Sequence, residues 1–206
     1  RPTVEARVNR LVNTGFTGGG AAPTNYAQPF GTGTSAPSGT AANGGTICAQ
    51  SATAQRPLFA SSTSYSLESN TSQVVTVEIA AVTGLVASDF LRWTSQPAGS
   101  SVSWPICTAN PSGGASGVLT AGILVMVISV GATAGSSQLY FGAGCLGNVT
   151  GSVSFHSPQL EYGSTTTTYQ RVNTATDYVD VGAPRYLSFD GTDDGMATPS
   201  INFTGT

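Results

Sequence analysis

In residues 73–81, QVVTVEIAA, mostly apolar side chains stand at the odd positions, with the polar Thr76 and Glu78 at even positions between them. This alternation indicates a β-strand. The face expected to be buried carries Gln73, Val75, Val77, Ile79 and Ala81, and the opposite face carries Thr76 and Glu78. Because successive side chains of a strand point to opposite faces of its sheet, this strand should bury one face and expose the other to water. Helical periodicity is hard to find elsewhere in the chain.

Outward from this stretch, further segments carry strand-like patterns separated by turn residues. They are 46–51, 57–67, 89–95, 101–106, 121–130, 137–142 and 151–162. Segments such as 109–117 (ANPSGGASG) and 131–136 (GATAGS) supply the glycines and prolines that turns require. About eight closely spaced strands predict an all-β chain folded as a two-sheet antiparallel jelly-roll sandwich.

The composition excludes some partner classes. Charged residues make up 8% of the 206 residues, the net charge is -3, and there is no Lys. Without a basic cluster to neutralise phosphates, we expect no nucleic-acid binding. The most apolar window, 117–130 (GVLTAGILVMVISV), is shorter than the ~18 residues that a membrane-spanning helix needs, so no membrane partner is expected.

Three cysteines, Cys48, Cys107 and Cys145, do not form a metal-binding pattern. They contain no C-x-x-C spacing, and the single histidine does not complete a usual zinc set. We therefore predict no cofactor and free, buried thiols, as in a reducing cytoplasm. A Cys107–Cys145 bridge formed after release remains an alternative.

Three strings near the two ends of the chain carry a family resemblance. They are RPTVEARVNRL (1–11), SVSFHSPQLEYGSTTTTYQRV (152–172) and PRYLSFDGTDDGMATPSINFT (184–204). Their order resembles tailed-phage virion proteins in which a jelly roll similar to carbohydrate-binding modules precedes a laminin-G or concanavalin-like sandwich. Phe155, His156 and Ser157 stand where those proteins often carry an aromatic–glycine pair before QLE.

The resemblance implies a domain organisation. Residues 1–172 should form the jelly-roll domain, and 173–206 should form a linker and the first strands of a truncated laminin-G-like domain. From residue 173 onward there are five acids against one base, which also favours a boundary near 172. The long irregular segment 13–45 is expected to be an arm or flap that lies across a neighbouring subunit.

The function implied by the resemblance is structural and non-enzymatic. The chain would be a bacteriophage virion surface protein of capsid-decoration, head-fibre or tail-fibre type, assembled in the host cytoplasm. It would dock on other virion proteins as a homo-oligomer, with a trimer as the first expectation. The alternative is a glycan-binding module that attaches the phage to host surface polysaccharide.

Residues suited to catalysis are few. His156 is the only base for a nucleophilic triad, there is no G-x-S-x-G motif, and the strand pattern places His156 on a polar surface. The acids before residue 173 are isolated in sequence: Glu5, Glu68, Glu78, Asp89 and Glu161. A depolymerase would need two of them facing a cleft, whereas Glu161 is expected to hydrogen-bond at a strand exit.

Ligand-binding candidates are aromatic. Trp93, Trp104 and Tyr162 could stack on sugar rings, although core packing is favoured for both tryptophans. Trp93 shares its strand face with Leu91, and Trp104 shares its face with Val102 and Ile106. A groove containing an exposed tryptophan would favour a glycan, and burial of both would favour a docking scaffold.

One acidic cluster near the end of the chain offers oxygen ligands to a metal. Asp190, Asp193 and Asp194 are weak candidates for a Ca²⁺ site. A turn is the favoured interpretation, since Asp-Gly is a strong hairpin signal and one short segment supplies few ligands.

Overall fold

A computed structural model describes residues 3–5, 9–11, 26–27, 34–42, 46–55, 59–61, 64–145, 149–172 and 186–188, with side chains for 9–11, 38–42, 46–51, 64–145 and 150–172. Strands dominate these residues. They are β1 (Thr3–Glu5), β2 (Tyr26–Ala27), β3 (Thr34–Thr40), β4 (Thr46–Gln55), β5 (Phe59–Ser61), β6 (Tyr65–Leu67), β7 (Ser72–Thr83), β8 (Leu91–Trp93), β9 (Ser101–Ser103), β10 (Gly122–Ser129), β11 (Gly135–Ser137), β12 (Leu139–Phe141), β13 (Val149–Tyr162) and β14 (Tyr186–Ser188). A four-residue helix, α1 (Ala87–Phe90), precedes β8.

The strands form two larger sheets and two small ones. One sheet has the order β3-β4-β13-β7-β10-β9, and the other has the order β2-β5-β12-β8. The pairs β6–β11 and β1–β14 complete the set in the described residues. Every pairing is antiparallel, which confirms the prediction of an all-β chain with antiparallel sheets.

Strand β7 shows the predicted alternation over most of its length. Gln73, Val75, Val77 and Ile79 are buried, and Glu78 is exposed. Ala81 is exposed, contrary to the prediction, because the register of β13 against β7 shifts between Ser154 and Phe155. Such a bulge adds one residue to one strand and reverses which side chains face inward beyond it. Val82 therefore packs against the core instead.

One hydrophobic core joins the two larger sheets. The six-stranded sheet contributes Val77, Leu124 and Phe155, among others, and the four-stranded sheet contributes Leu91 and Phe141. Phe155 meets Phe90 edge to face with ring centroids 4.9 Å apart, and it stacks with Phe141 at 6.5 Å. Burial of such aromatic side chains removes a large apolar area from water, so this contact holds the two sheets together.

Some segments predicted as single strands are divided. Segment 57–67 forms β5 in the four-stranded sheet and β6 in the pair with β11. Segment 89–95 begins in the helix, where the Asp89 carboxylate accepts a hydrogen bond from the Val86 N–H at 3.2 Å. These boundaries depend on which partner strand is adjacent, which local alternation does not reveal.

Part of segment 13–45 differs from the expected arm. Residues 34–40 form β3, which pairs with β4 of the same chain and lies at one edge of the six-stranded sheet. The register shifts between Pro37 and Gly39. Backbone pairing at a sheet edge needs no side-chain alternation, and proline and bulges are typical of edges, so the local sequence does not reveal this strand. The rest of the segment, apart from 26–27 and 41–42, lies outside the described residues.

Candidate functional site

Residues 9–10 and 159–170, far apart in sequence, meet in one hydrogen-bonded cluster, which we call the terminal clamp. It consists of Asn9, Arg10, Gln159, Glu161, Thr167 and Gln170. Asn9 lies at its centre: its Nδ2 donates to the carbonyls of Pro158 (3.2 Å) and Gln170 (2.9 Å). Its Oδ1 accepts from the backbone N–H groups of Leu11 (3.1 Å) and Leu160 (3.0 Å). All four hydrogen-bonding positions of this buried amide are therefore used.

Glu161 is fully buried in the same clamp. Its Oε2 accepts hydrogen bonds from Gln159 Nε2 at 2.8 Å and from the Thr167 N–H at 3.2 Å. Its Oε1 accepts the hydroxyl of Thr167. Gln159 Oε1 in turn accepts the N–H of Gln170 at 2.6 Å. The prediction that Glu161 hydrogen-bonds at the strand exit is confirmed, and the carboxylate holds the outgoing segment against β13.

Tyr162 belongs to the rim of this clamp. The Arg10 guanidinium lies 4.2 Å from the centre of the Tyr162 ring, a cation–π contact. The Tyr162 hydroxyl donates to Glu68 Oε1 at 2.7 Å, and Arg10 Nη1 donates to Gln73 Oε1 at 2.9 Å. Burial, followed by the bond to Glu68, raises the pKa of Tyr162. Arg10 therefore covers a face of the Tyr162 ring on which a sugar would stack, and Tyr162 does not line the cleft formed by the two tryptophans.

Trp93 and Trp104 line a common cleft of about 520 Å³. Trp93 is 2% exposed, and Trp104 is partly buried against the core. The remaining lining residues are Ser88, Leu91, Arg92, Gln96, Ser100, Ser101, Val102, Ala115 and Met126. Trp93 is therefore packed in the core, as the sequence favoured, whereas Trp104 is only partly buried there. Ile106, expected on the same buried face as Trp104, is 76% exposed because strand β9 ends at Ser103.

His156 is buried at 7% exposure, and not on the surface as the pattern predicted. Its Nδ1 shares a hydrogen bond of 2.7 Å with Ser157 Oγ and lies 3.7 Å from Glu78 Oε2. A bulge between His156 and Gln159, where Ser157 adopts φ 54°, displaces the alternation here. Hydroxyl and carboxylate both approach the same ring nitrogen, whereas a nucleophilic triad needs them on opposite nitrogens.

The stability of the domain should fall as the pH is lowered from 7.5 to 5.5. Burial lowers the pKa of His156 despite the nearby Glu78 carboxylate. The unfolded chain then binds a proton below about pH 6.5 that the folded chain resists, so stability is present above that pH and lost below it. Urea unfolding at several pH values measures this, and His156→Gln, which removes the only histidine, should flatten the dependence in this window. An unchanged slope in the variant would contradict the assignment.

Each of the four described carboxylates has contacts of its own. Glu68 pairs with Tyr162, Glu78 lies beside His156, Asp89 accepts from Val86, and Glu161 belongs to the terminal clamp. No two of these four share a hydrogen-bond partner. The side chain of Glu5 lies outside the described residues. None of these four lines the cleft that contains Trp93 and Trp104, whereas glycoside cleavage uses two acids that face one cleft.

The cysteines are free thiols. Burial raises the pKa of Cys48 to about 12 and the pKa of Cys145 further still. Cys145 Sγ donates to the Phe90 carbonyl at 3.0 Å. Because the thiolate is the reactive form, Cys48 and Cys145 act as small core side chains, and Cys107 is the more accessible thiol.

The described part of the chain contains neither a group of metal-ligating side chains nor a long apolar helix. Within the described ranges, no three His, Cys, Asp or Glu side chains are placed to hold a metal ion. Asp190, Asp193 and Asp194, the weak Ca²⁺ candidates, lie outside the described residues. Nor does that part of the chain contain a helix with the length and hydrophobicity to span a bilayer.

In comparisons with family models, curated proteins and solved structures, none matches this chain. Two places in the described structure are candidate functional sites: the terminal clamp, formed by sequence strings 1–11 and 152–172, and the cleft lined by Trp93 and Trp104, which we call the tryptophan cleft.

Proposed function

We propose that this chain is a non-enzymatic structural module of a bacteriophage virion surface, of capsid-decoration, head-fibre or tail-fibre type. In this proposal residues 1–172 fold as a two-sheet jelly-roll sandwich, and 173–206 begin a second β-domain. The shared core of the two larger sheets, in which Phe155 contacts Phe90 and Phe141, supports a sandwich.

The terminal clamp is the observation that carries the proposal. Strings 1–11 and 152–172, which resemble phage virion proteins, supply all of its members. The Arg10 N–H donates to the Leu160 carbonyl at 2.8 Å, and Asn9 binds Gln170, so incoming and outgoing chain run side by side. In this proposal the chain enters and leaves the module at the same place. That geometry suits a module presented on a particle surface.

Exposed aliphatic side chains offer the means of docking. Ile106, Val118 and Ile123 are 76%, 64% and 51% exposed, and all belong to the segment between β9 and the start of β10. Apolar side chains on a surface with few charges favour contact with other proteins. We propose that this segment contacts other virion subunits, in a homo-oligomer of which a trimer is the first expectation.

Particle association provides the test. Phage particles from cells that encode this chain, purified by density-gradient banding, should contain it in fixed ratio to the major capsid protein by quantitative mass spectrometry. Ile106→Asp should lower its incorporation, because a charge would be buried in the contact. Thr133→Asp, at another exposed position, is the matched control and should not. Recovery of the wild-type chain only outside the banded particles would overturn the proposal.

A further inference from the structure

A bulge in β13 connects His156 to the terminal clamp. The register of β13 against β7 shifts between His156 and Gln159, and Ser157 within it adopts φ 54°, in the left-handed region that few residues other than glycine adopt. The carbonyl of Pro158 accepts a hydrogen bond from Asn9 Nδ2 at 3.2 Å. Gln159, the last residue of the bulge, is itself a member of the clamp. A displacement of this bulge therefore moves groups that hold the clamp.

The outgoing segment, residues 163–172, lies beside the partners of His156. Glu78 Oε2 and Ser157 Oγ approach His156 Nδ1 at 3.7 Å and 2.7 Å, and both residues line a cavity of about 90 Å³. Such a volume holds only a few water molecules, at about 30 Å³ each. The outgoing segment contributes three further lining residues: Thr166, Thr167 and Tyr169. Detachment of this segment would open the cavity to water and expose the surroundings of the ring.

Glu78 on β7 is the charged side chain beside His156, and half of that carboxylate side chain is exposed to solvent. Burial is the larger effect and lowers the pKa of His156, because water screens the attraction of Glu78 for a protonated ring. Burial raises the pKa of Cys48 on β4 to about 12 and also raises the pKa of Tyr162, so neither carries a charge near pH 7. The other ionisable groups of β13 and the outgoing segment are Glu161, which is bonded within the clamp, Tyr169 and Arg171. A proton on the buried ring is therefore disfavoured by its surroundings.

We propose that protonation of His156 releases the terminal clamp while the two larger sheets stay folded. Once the outgoing segment detaches, water reaches the ring and solvates its charge, so the open form binds the proton more readily than the closed form. A fall in pH from 7.5 to 5.5 then favours the open form. Because a solvated histidine has a pKa near 6.5, the ratio of open to closed clamp rises by at most about tenfold over this interval. The inference goes beyond the proposed function and holds or fails independently of particle association.

Amide hydrogen exchange followed by NMR tests this release. The exchange rate of each N–H, divided by the rate of an unstructured amide at the same pH, gives the fraction of time that its hydrogen bond is open. The N–H groups of Thr167 and Gln170 report the clamp, and the N–H of Val127, on β10 inside the six-stranded sheet, reports the sheets. Between pH 7.5 and 5.5 we expect the open fraction at Thr167 and Gln170 to rise by up to about tenfold, with less opening at Val127 at both pH values. In His156→Gln the rise should be absent.

The reverse coupling gives a second readout, because linkage between two equilibria is reciprocal. His156 is the only histidine of the chain, so an NMR titration of the full chain follows its imidazole without ambiguity. Asn9→Ala opens the clamp and should shift the pKa of His156 upward, toward 6.5. If this variant fails to fold, Gln170→Ala, which removes the Oε1 that accepts the Asn9 N–H at 3.0 Å, should give a smaller shift in the same direction. The exposed Asn70→Gly is the control and should leave the pKa unchanged.

Any of four results would overturn the proposal. The first two are an open fraction at Thr167 and Gln170 that is the same at pH 7.5 and 5.5, and a rise that persists in His156→Gln. The third is a pKa of His156 that stays unchanged when the clamp is weakened. The fourth is equal protection of the clamp amides and the Val127 amide, which would mean that the clamp opens only when the whole domain unfolds.

Discussion

Replacing Phe155 with alanine should lower the free energy of unfolding by about 3–5 kcal/mol, which is typical of a buried phenylalanine truncated in a packed core. Phe155 is fully buried on β13, and its ring contacts both Phe90 and Phe141. The substitution removes the transfer energy of the ring, leaves a cavity and abolishes two aromatic contacts. Urea unfolding followed by tryptophan fluorescence measures the change at pH 7.5.

Phe155→Leu is the matched control for this experiment. Leucine fills most of the same volume, so the loss should be about 1.5 kcal/mol or less. A cost below about 1 kcal/mol for the alanine variant would mean that the site collapses freely or that the sheets do not depend on this ring. Either outcome would contradict the central place given to Phe155 in the shared core.

Asn9→Ala should cost about 3 kcal/mol or more, since several buried groups lose their partners and each unsatisfied group costs roughly 1–3 kcal/mol. The amide of Asn9 bonds the carbonyls of Pro158 and Gln170 and the N–H groups of Leu11 and Leu160. Alanine at position 9 provides none of these contacts. Chemical unfolding gives the magnitude.

Tryptic cleavage gives an independent measure of the terminal clamp. The chain contains no Lys, so trypsin cuts only after its arginines. In Asn9→Ala, cleavage after Arg171 should accelerate relative to cleavage after Arg92, because the clamp no longer holds the outgoing segment.

Asn70→Gly is the control of the same residue type for the clamp experiments. Asn70 is exposed and has φ 57°, a conformation that glycine adopts without strain. This variant should change stability by less than about 0.5 kcal/mol. Equal effects at positions 9 and 70 would contradict the clamp.

Local alternation predicted strands well where one face is buried along a whole strand. Segment 73–81 and segment 151–162 both lie inside long strands, β7 and β13. The alternation failed at bulges, where Ala81 faces solvent and His156 is buried. A bulge arises from the pairing of two strands, so the sequence of one strand does not reveal its place.

The residues of the two candidate sites were partly visible in the same way. Trp93 and Trp104 stood out as the only tryptophans, but the cleft they share was hidden, because it forms between edge strands β8 and β9 of different sheets. The role of Asn9 was equally hidden. It bonds Leu160, 151 residues away along the chain, and a contact at that separation leaves no trace in local periodicity.

What the sequence determined by itself was the strand-forming character of the chain, its turn-rich connections, its few charges and the strings at its ends. These follow from side-chain shape, glycine and proline content and residue order, all of which act locally. Tertiary structure alone decided that the end strings meet in a clamp, that edges β8 and β9 enclose a cleft, and which tryptophan remains partly exposed. The reason is that burial and hydrogen-bond satisfaction depend on neighbours brought together from distant parts of the chain.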